Sequence, residues 1–524
     1  MCNIICYINR QKKYYLYLNC VSIVSVIQVM KEIILKPLIL ILFVNFWLQG
    51  CDKSDNELNP SIEVQDFVWR GLNAYYLYQE DINDLSDRRF SSNQQLESYL
   101  SGYDTPGAIF NSLKKSTDSR SELIENFEIN DLPLPLRTSF TSGMEFRLFK
   151  DSNILDTIIG VVSHILPNSQ ASNTNLSRGD FFYGVINDQT DTIFLREDNY
   201  KALLLDYPQD TLKLLMAYYD GDSLAKNDMR VDLVKKNYQY SPILLKNIFN
   251  LGAKNVGYLL YNNDFSDNYI EDINATILEF KNQSVNELII DLRYAVGSYS
   301  DARTVSEIAS MITGQFTDET FIKETWNTKS QTWFELNQPD SVITKFPTRL
   351  QNNTMISSLN LTDVYIILNG DGYSGSSATE LLINSLKPYI NVHVLGNKTR
   401  GDNLGAINLY DSPDYDAFNV NPNHTYSLRP SVLTFSNKED ETYNSGIIPT
   451  VSLCTSEDPL NLGELGEISE PLLDEILQYI TTGDSGLNLT CNPFELEILY
   501  NSINSQRIFD RGTFIKQDLP NLGR

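Results

Sequence analysis

The segment DVYIILNGDGYSGSSATELLINSLKPYINVHVLG (363–396) changes its hydrophobic pattern twice. It begins with the apolar run VYIILN (364–369), which has the length of a buried strand. After a turn rich in glycine and serine, SATELLINSLKPY (377–389) has helical spacing, and NVHVLG (391–396) is again strand-like. The order strand, helix, strand with apolar strands is typical of an α/β domain.

The same alternation continues on both sides of this segment. We predict an α/β domain over residues 234–483, closed by a helix that ends at Gly483. The other predicted elements are the strands NVGYLLYN (255–262) and NELIIDLRY (286–294) and the helices YIEDINATILEFKN (269–282), DARTVSEIASMITG (301–314) and EPLLDEILQYITTG (470–483).

The remainder of the chain has a different texture. Residues 62–140 show short helical patterns and predict a small helical N-terminal domain, and residues 141–233 predict a β-rich module. Residues 484–524 form a polar C-terminal tail with little periodicity. The predicted fold class is therefore multidomain α/β, as expected for 524 residues of globular composition.

The N-terminal residues 1–50 predict a signal peptide. Met30 opens a complete signal unaided, with Lys31 and Lys36 before the apolar core PLILILFVNFWL (37–48), and we expect it to be the true start. LQGC (48–51) resembles a bacterial lipobox, which implies lipidation at Cys51, a tether over 51–61, and a lipid anchor in a bacterial membrane. The cell envelope is then the location, on the periplasmic side or facing the surface. The alternative is a membrane-spanning helix, for which the apolar core is short.

Processing at Cys51 leaves two further cysteines, Cys454 and Cys491. In an exported protein the two are candidates for a disulfide bond. Two free, buried thiols are the alternative, and the sequence leaves both open.

The formal net charge of −26 argues against nucleic-acid binding, because an acidic surface repels phosphates. The three histidines are scattered, and the sequence has neither a metal-binding spacing nor a phosphate-binding loop. We therefore expect no metal and no other cofactor.

Four segments together resemble one family. PNSQAS (167–172) with LSRGD (176–180) looks like the signature of PDZ modules in proteases. LIIDLRYAVGS (288–298), YSGSSATE (373–380) and YNSGIIPT (443–450) are similar to the strand, the nucleophile helix and a late element of the C-terminal processing peptidases, the tail-specific proteases.

The resemblance implies a PDZ-like module at 141–233 and a protease core of the ClpP/crotonase-like type at 234–483. It implies a serine endopeptidase acting on polypeptide C-terminal tails or unfolded proteins. The PDZ-like module would bind a tail as an added strand.

By this resemblance Ser377 stands at the nucleophile position. A helix start at Ser377 would favour an anionic oxygen through its backbone N–H groups and dipole. The alternative is that Ser376 or Ser377 is only the helix cap, with Glu380 as its capping-box partner.

The oxyanion-hole positions implied by the resemblance are Ala378 and Gly297. Where the family has an asparagine and three glycines, this chain has AVGS (295–298), so Gly297 alone remains of the glycines. A β-branched residue such as Val296 disfavours the positive φ that a glycine permits.

The general base is the main departure from the family. Its lysine lies 25 residues after the nucleophile, and that position is Asp402; the polar residue four further on is Ala406. Aspartate has an ordinary pKa of about 3.9 and is a weak base toward a hydroxyl. Rescue would have to come from Lys398 or a histidine, for which a structural role is the simpler interpretation.

Two hypotheses follow. The first is an active serine endopeptidase of the tail-specific type with Ser377 as nucleophile. The second is a pseudoprotease, a peptide-binding or scaffolding lipoprotein in which catalysis is lost. Three departures favour the second: Asp402, Ala406, and Val296 with Ser298.

Overall fold

A computed structural model of the protein describes residues 62–127, 138–150, 158–187, 191–206, 210–219, 224–239, 241–262, 265, 267–295, 300–368, 375–452, 457–483, 497–503, 513–514, 519–520 and 522. The predicted signal peptide and tether, with Cys51, lie outside these residues, and so do Cys454 and Cys491. Lipidation and disulfide pairing therefore stay predictions. Among the described helices, none is both long enough and apolar enough to cross a bilayer.

The described residues form eight α-helices. They are α1 (Glu63–Tyr75), α2 (Asn93–Leu100), α3 (Pro106–Leu113), α4 (Ile270–Asn282), α5 (Ala302–Ile312), α6 (Thr328–Asn337), α7 (Ser377–Leu386) and α8 (Pro471–Thr482).

The strands of the described residues belong to five sheets. They are β1 (Glu122–Ile124), β2 (Thr138–Thr141), β3 (Met144–Lys150), β4 (Ile158–Ile165), β5 (Phe181–Ile186), β6 (Thr192–Phe194), β7 (Thr211–Tyr219), β8 (Leu224–Val234), β9 (Lys236–Gln239), β10 (Ile243–Leu251), β11 (Lys254–Tyr261), β12 (Glu287–Asp291), β13 (Ser300–Asp301), β14 (Thr320–Trp326), β15 (Ile343–Lys345), β16 (Asp363–Ile367), β17 (Asn391–Gly396), β18 (Leu404–Ala406), β19 (Leu409–Tyr410), β20 (Ser427–Arg429), β21 (Ser431–Ser436), β22 (Val451–Ser452), β23 (Glu497–Asn501) and β24 (Thr513–Phe514).

The central sheet carries the strands predicted around the opening segment. Its order is β10-β11-β12-β16-β17-β22, and the neighbours from β11 to β22 are parallel. Each parallel pair needs a crossover, and α4 and α7 lie in two of these crossovers. The mixed α/β prediction is confirmed.

Alternate residues of the central strands face opposite layers. Tyr258 and Ile289 pack in one core with Leu473 and Ile476 of α8, whereas Leu259 and Leu288 line a small apolar cavity with residues of α4 and α5. Because both faces are covered, the strands are apolar throughout, which is why they appear in the sequence as continuous runs.

The β-rich region forms a separate sheet of seven strands. Six of them have the order β23-β3-β4-β5-β7-β8, and β6 pairs with β5. Its core is built by apolar side chains from facing strands, among them Leu148, Val162, Phe182 and Leu214. The region is β-rich as predicted, while its assignment as a PDZ-like module and the domain boundaries stay predictions.

Two short segments of the C-terminal tail also pair as strands. β23 pairs antiparallel with β3 at the edge of the β-rich sheet. β24 enters another sheet, of order β13-β24-β18-β21-β14-β15. The weak periodicity of residues 484–524 gave no sign of either strand, because two- to five-residue strands have almost no sequence pattern of their own.

The N-terminal region is helical at first and then joins a sheet. Ser92 and Thr105 cap α2 and α3, and each side chain accepts a hydrogen bond from the backbone N–H three residues later. The region ends in β1, which pairs antiparallel with β20. This pairing brings the segment just before β1 next to β20.

Candidate active site

Helix α7 starts immediately after a glycine turn. Gly375 has a φ of +89°, a left-handed backbone that glycine adopts without strain. Ser376 is the helix cap, and its Oγ accepts a hydrogen bond from the backbone N–H of Thr379 at 3.2 Å. Ser377 is therefore the first residue of the helix, and Ser376 is the cap that one of the two alternatives anticipated.

The alternative in which Glu380 is a capping-box partner is wrong. The carboxylate of Glu380 does not turn back to the start of its own helix; its two oxygens accept hydrogen bonds from the backbone N–H groups of Gly401 (2.6 Å) and Asp402 (2.7 Å). These two N–H groups lie in the buried turn before β18 and need an acceptor. Glu380 therefore fixes the 401–402 turn against the start of α7.

This turn brings Ser377 and Asp402 together, as the 25-residue spacing predicts. The Ser377 hydroxyl donates a hydrogen bond to the backbone carbonyl oxygen of Asp402 at 2.9 Å. Both residues are buried. The contact is made to the main chain of residue 402, so it would exist with any side chain at that position.

The side chain of Asp402 forms an ion pair with the guanidinium of Arg120. The side chains of Asp402 and Arg120 are 6% and 21% exposed, so the pair is largely withdrawn from water. Arg120 lies 282 positions away in the sequence and has no local signature. Sequence reasoning missed it for that reason.

The backbone around Arg120 is held by Asp118. One carboxylate oxygen of Asp118 accepts hydrogen bonds from the N–H groups of Arg120 (2.8 Å) and Ser121 (3.0 Å), and the other accepts one from the hydroxyl of Tyr76 (2.7 Å). The Ser121 hydroxyl in turn accepts a hydrogen bond from the N–H of Ser431 at 2.9 Å. The N-terminal region thus delivers Arg120 to the site from a fixed turn.

A second loop supports the 399–402 turn. The N–H of Thr399 donates to the carbonyl of Ile447 at 3.0 Å, and the Thr399 hydroxyl accepts from the N–H of Ile447 at 2.6 Å. Gly446 has a φ of +80°, and a Cβ there would lie 2.1 Å from the carbonyl oxygen of Thr399. The segment YNSGIIPT (443–450) therefore supports the turn that carries Asp402 through these contacts.

Two acidic groups of the site have raised pKa values. Burial raises the pKa of Glu380, although hydrogen bonds from Thr399 and from the 401–402 backbone oppose the shift. Burial, together with the nearby negative charges of Glu380 and Asp402, raises the pKa of Tyr443 well above its ordinary value. The Tyr443 hydroxyl has no hydrogen-bond partner among the described residues. Its only sequence signal is its place at the start of YNSGIIPT.

The oxyanion-hole positions are described in part. Ala378 is the second residue of α7 and is fully buried, so its N–H lies in the first turn, where a helix leaves its N–H groups without helical acceptors. Gly297, Val296 and Ser298 lie outside the described residues. Ala406 lies on β18 and is buried.

Each of the three histidines has a partner of its own. Lys398 is exposed. His393 contacts Asp363 at 2.9 Å, and His424 contacts Asp411 at 3.1 Å. His164 stacks on Tyr294, with 4.6 Å between the ring centroids. No cluster of metal-binding side chains occurs within the part of the chain that the structure describes.

Strand β12, which precedes the predicted oxyanion-hole position Gly297 in the sequence, ends in a buried ionic network. Arg293 pairs with Asp291 (2.7 Å), Glu470 (2.7 Å) and Glu457 (3.0 Å), and Arg178 of the β-rich sheet also pairs with Glu457 at 2.8 Å. Burial alone would raise the pKa of Glu457, but the three neighbouring arginines hold it far below its ordinary value. Arg293 therefore has a structural role at the centre of this ionic network.

Two family models match the chain. The Peptidase S41 N-terminal domain matches residues 63–127, and Peptidase family S41 matches residues 255–452. Together the two ranges hold half of the chain. The first contains Arg120, and the second contains Ser377 and Asp402. A search of curated proteins finds no match.

Solved structures are similar over most of the chain. One assigned as an S41 protease from Bacteroides fragilis covers 80% of this chain and 97% of its own, with 20% identity and a TM-score of 0.60. The photosystem II D1 C-terminal processing protease covers 77% and 95%, with 15% identity and a TM-score of 0.41. Mature CPAF covers 80% and 97%, with 11% identity and a TM-score of 0.36. At 20% identity, the first likeness shows a shared fold.

Proposed function

This chain belongs to peptidase family S41, the family of the C-terminal processing peptidases, and we propose that it binds polypeptides in a serine-peptidase site that lacks the Ser/Lys mechanism. Membership places the chain in the serine-peptidase class, whose members act on polypeptides. The proposal concerns what this particular site does with them.

One observation carries the proposal: Asp402, the residue at which the resemblance leads us to expect the family's lysine, forms an ion pair with Arg120. A serine hydroxyl becomes a nucleophile when a neighbouring base takes its proton. A guanidinium has no lone pair to accept that proton. A carboxylate paired with a guanidinium is a weak base, because the neighbouring positive charge stabilises its ionised form.

The orientation of the Ser377 hydroxyl agrees with this interpretation. Its hydrogen bond goes to the carbonyl oxygen of Asp402, and an amide carbonyl does not take up a proton at neutral pH. The backbone that accepts this bond is held by the carboxylate of Glu380 and by the hydrogen bond between Ile447 and Thr399. This main-chain contact holds the Ser377 hydroxyl and contributes no general base.

Binding of a polypeptide at this site does not require a general base. The first turn of α7 contains N–H groups, among them that of Ala378, which the resemblance implies as an oxyanion-hole position, and such a turn favours a carbonyl or carboxylate oxygen. We propose that polypeptide C-terminal tails or unfolded segments bind here, and that residues 141–233 add a PDZ-like tail-binding surface.

The retained hydroxyl at Ser377 supports a second candidate, an active serine endopeptidase on exported or unfolded polypeptides. Ser377 lies at the helix start and next to residue 402, where the family's nucleophile is expected. A base would then have to reach it in a conformation different from this one.

For the location, we propose a lipoprotein of the bacterial cell envelope anchored through Cys51. The support is the signal-like segment from Met30 and the LQGC ending. Metabolic labelling with an alkyne fatty acid should mark the unaltered chain and leave Cys51→Ser unmarked. Equal labelling of both would overturn the anchor.

The function is tested by measuring binding and cleavage on the same sample. The purified protein is incubated with fluorescein-labelled, permanently unfolded casein; anisotropy reports binding, and mass spectrometry reports new peptide termini. We expect saturable binding without new termini. New termini with the unaltered chain that are missing with Ser377→Ala would establish the active peptidase instead, and the absence of both binding and cleavage would refute both candidates.

A further inference from the structure

The C-terminal strand β24 lies between two strands that adjoin the candidate site. It pairs in parallel with β13 on one side, Ser300 with Thr513 and Asp301 with Phe514. It pairs in parallel with β18 on the other side, Gly405 with Thr513 and Ala406 with Phe514. Residues 513–514 are thus a two-sided insertion into a sheet formed by distant parts of the chain.

Both flanking strands continue directly from parts of the site. β18 begins two residues after Asp402, whose carbonyl receives the Ser377 hydrogen bond. β13 begins three residues after Gly297, which the resemblance implies as an oxyanion-hole position. The two neighbours of β24 therefore begin within three sequence positions of Asp402 and of Gly297, respectively.

The tail is also held on either side of β24. Upstream, β23 pairs with β3, and the Ser502 hydroxyl bonds to Glu145 at 2.5 Å. Downstream, the carbonyl of Pro520 accepts a hydrogen bond from the Tyr75 hydroxyl at 2.8 Å, and Pro520 is buried. The insertion is therefore an anchored part of the fold.

We propose that the slot between β13 and β18 is a binding site for an extended polypeptide strand, and that the chain's own segment Thr513–Phe514 occupies it as an intramolecular competitor. Without an occupant, both flanks would present unpaired N–H and C=O groups, which readily pair with another strand. Such a slot recognises mainly the peptide backbone, so it accepts many sequences. Because both pairings are parallel, a bound polypeptide runs in the same direction as β13 and β18.

The inference deepens the proposed function, since it identifies what covers the polypeptide site in the free protein. A tethered segment competes at an effective concentration on the order of millimolar. A free peptide should therefore bind at least about ten-fold more weakly while the tail is in place. Release of the tail is then a step that must precede binding of a foreign polypeptide.

The test uses the full chain with Thr513→Pro and Phe514→Pro, which removes two backbone N–H groups from the ladder. The matched control is Thr513→Ala with Phe514→Ala, which keeps both N–H groups. The probe is a fluorescein-labelled peptide with the sequence RGTFIKQDLPNLGR (511–524), followed by anisotropy. We expect the proline variant to bind it at least ten-fold more tightly than the unaltered chain, with the alanine control closer to the unaltered chain. Equal affinity of all three proteins would overturn the proposal.

Hydrogen exchange on the unaltered chain tests the same proposal without any substitution. We expect the amides of β24, and those of β18 beside it, to exchange at least ten-fold more slowly than the same sequence in a free peptide. Exchange of β24 at the free-peptide rate would overturn the occupied slot, even if the proline variant failed to fold. Neither readout depends on Ser377 chemistry, so both outcomes are independent of whether the protein cleaves polypeptides.

Discussion

The pair Arg120–Asp402 allows the most informative perturbation of stability. Replacing Arg120 by Met removes the guanidinium from a carboxylate whose side chain is 6% exposed. Breaking a fully buried pair from one side costs about 3–5 kcal/mol. Because the Arg120 side chain is itself 21% exposed, water can partly replace it, and we expect a loss of roughly 2–3 kcal/mol in the free energy of unfolding.

The complementary variant is Asp402→Asn, which keeps the backbone carbonyl that Ser377 uses. A double-mutant cycle by urea denaturation compares each single variant with Arg120→Met/Asp402→Asn. The double variant should lose less than the sum of the single losses, with a coupling energy of about 1.5–2.5 kcal/mol. A coupling below about 0.5 kcal/mol would show that the two side chains do not form a buried pair in solution, and the interpretation of the site would fail.

Two further predictions concern stability. Burial raises the pKa of Glu324 to about 8. Because the unfolded chain releases this proton near the ordinary pKa of about 4.5, the folded protein loses stability as pH rises from about 4.5 toward 8. Between pH 5 and pH 8 the stability of Glu324→Gln should therefore rise by several kcal/mol relative to that of the unaltered chain. The exposed Glu335→Gln is the control, and a difference that stays constant with pH contradicts the assignment. In urea denaturation, Gly446→Ala should lower the free energy of unfolding by about 3 kcal/mol, because its Cβ meets the Thr399 carbonyl. The control Gly252→Ala, at a φ of +74° with open space around the Cβ, should lower it by about 1 kcal/mol. Equal losses would show that the contact between Gly446 and Thr399 does not support the turn.

The central sheet was predictable because burial of a strand leaves a hydrophobic pattern in the strand's own sequence. The strands β11, β12 and β16 are buried on both faces, and such strands must be continuous apolar runs. The helix α7 was predictable from its apolar spacing and its glycine turn. The spacing between Ser377 and Asp402 carried over from a family motif, and the hydrogen bond between the two residues agrees with it.

The remaining features depend on contacts between distant residues. Arg120 meets Asp402 only because β1 pairs with β20, and nothing near Arg120 in the sequence indicates that pairing. Glu380 fits the capping-box spacing, yet its carboxylate instead accepts hydrogen bonds from the backbone N–H groups of Gly401 and Asp402 in another loop. The strand β24 has only two residues, too few for a periodic pattern.

The claim that Ser377 lacks an activating base is tested most directly by its reactivity. The purified chain and Ser377→Ala are treated with a fluorescent fluorophosphonate near neutral pH, with an active serine protease in a parallel sample as the positive control. The account predicts that the unaltered chain takes up no more label than Ser377→Ala while the control protease is labelled fully. Label mapped by mass spectrometry to Ser377 in the unaltered chain would contradict it.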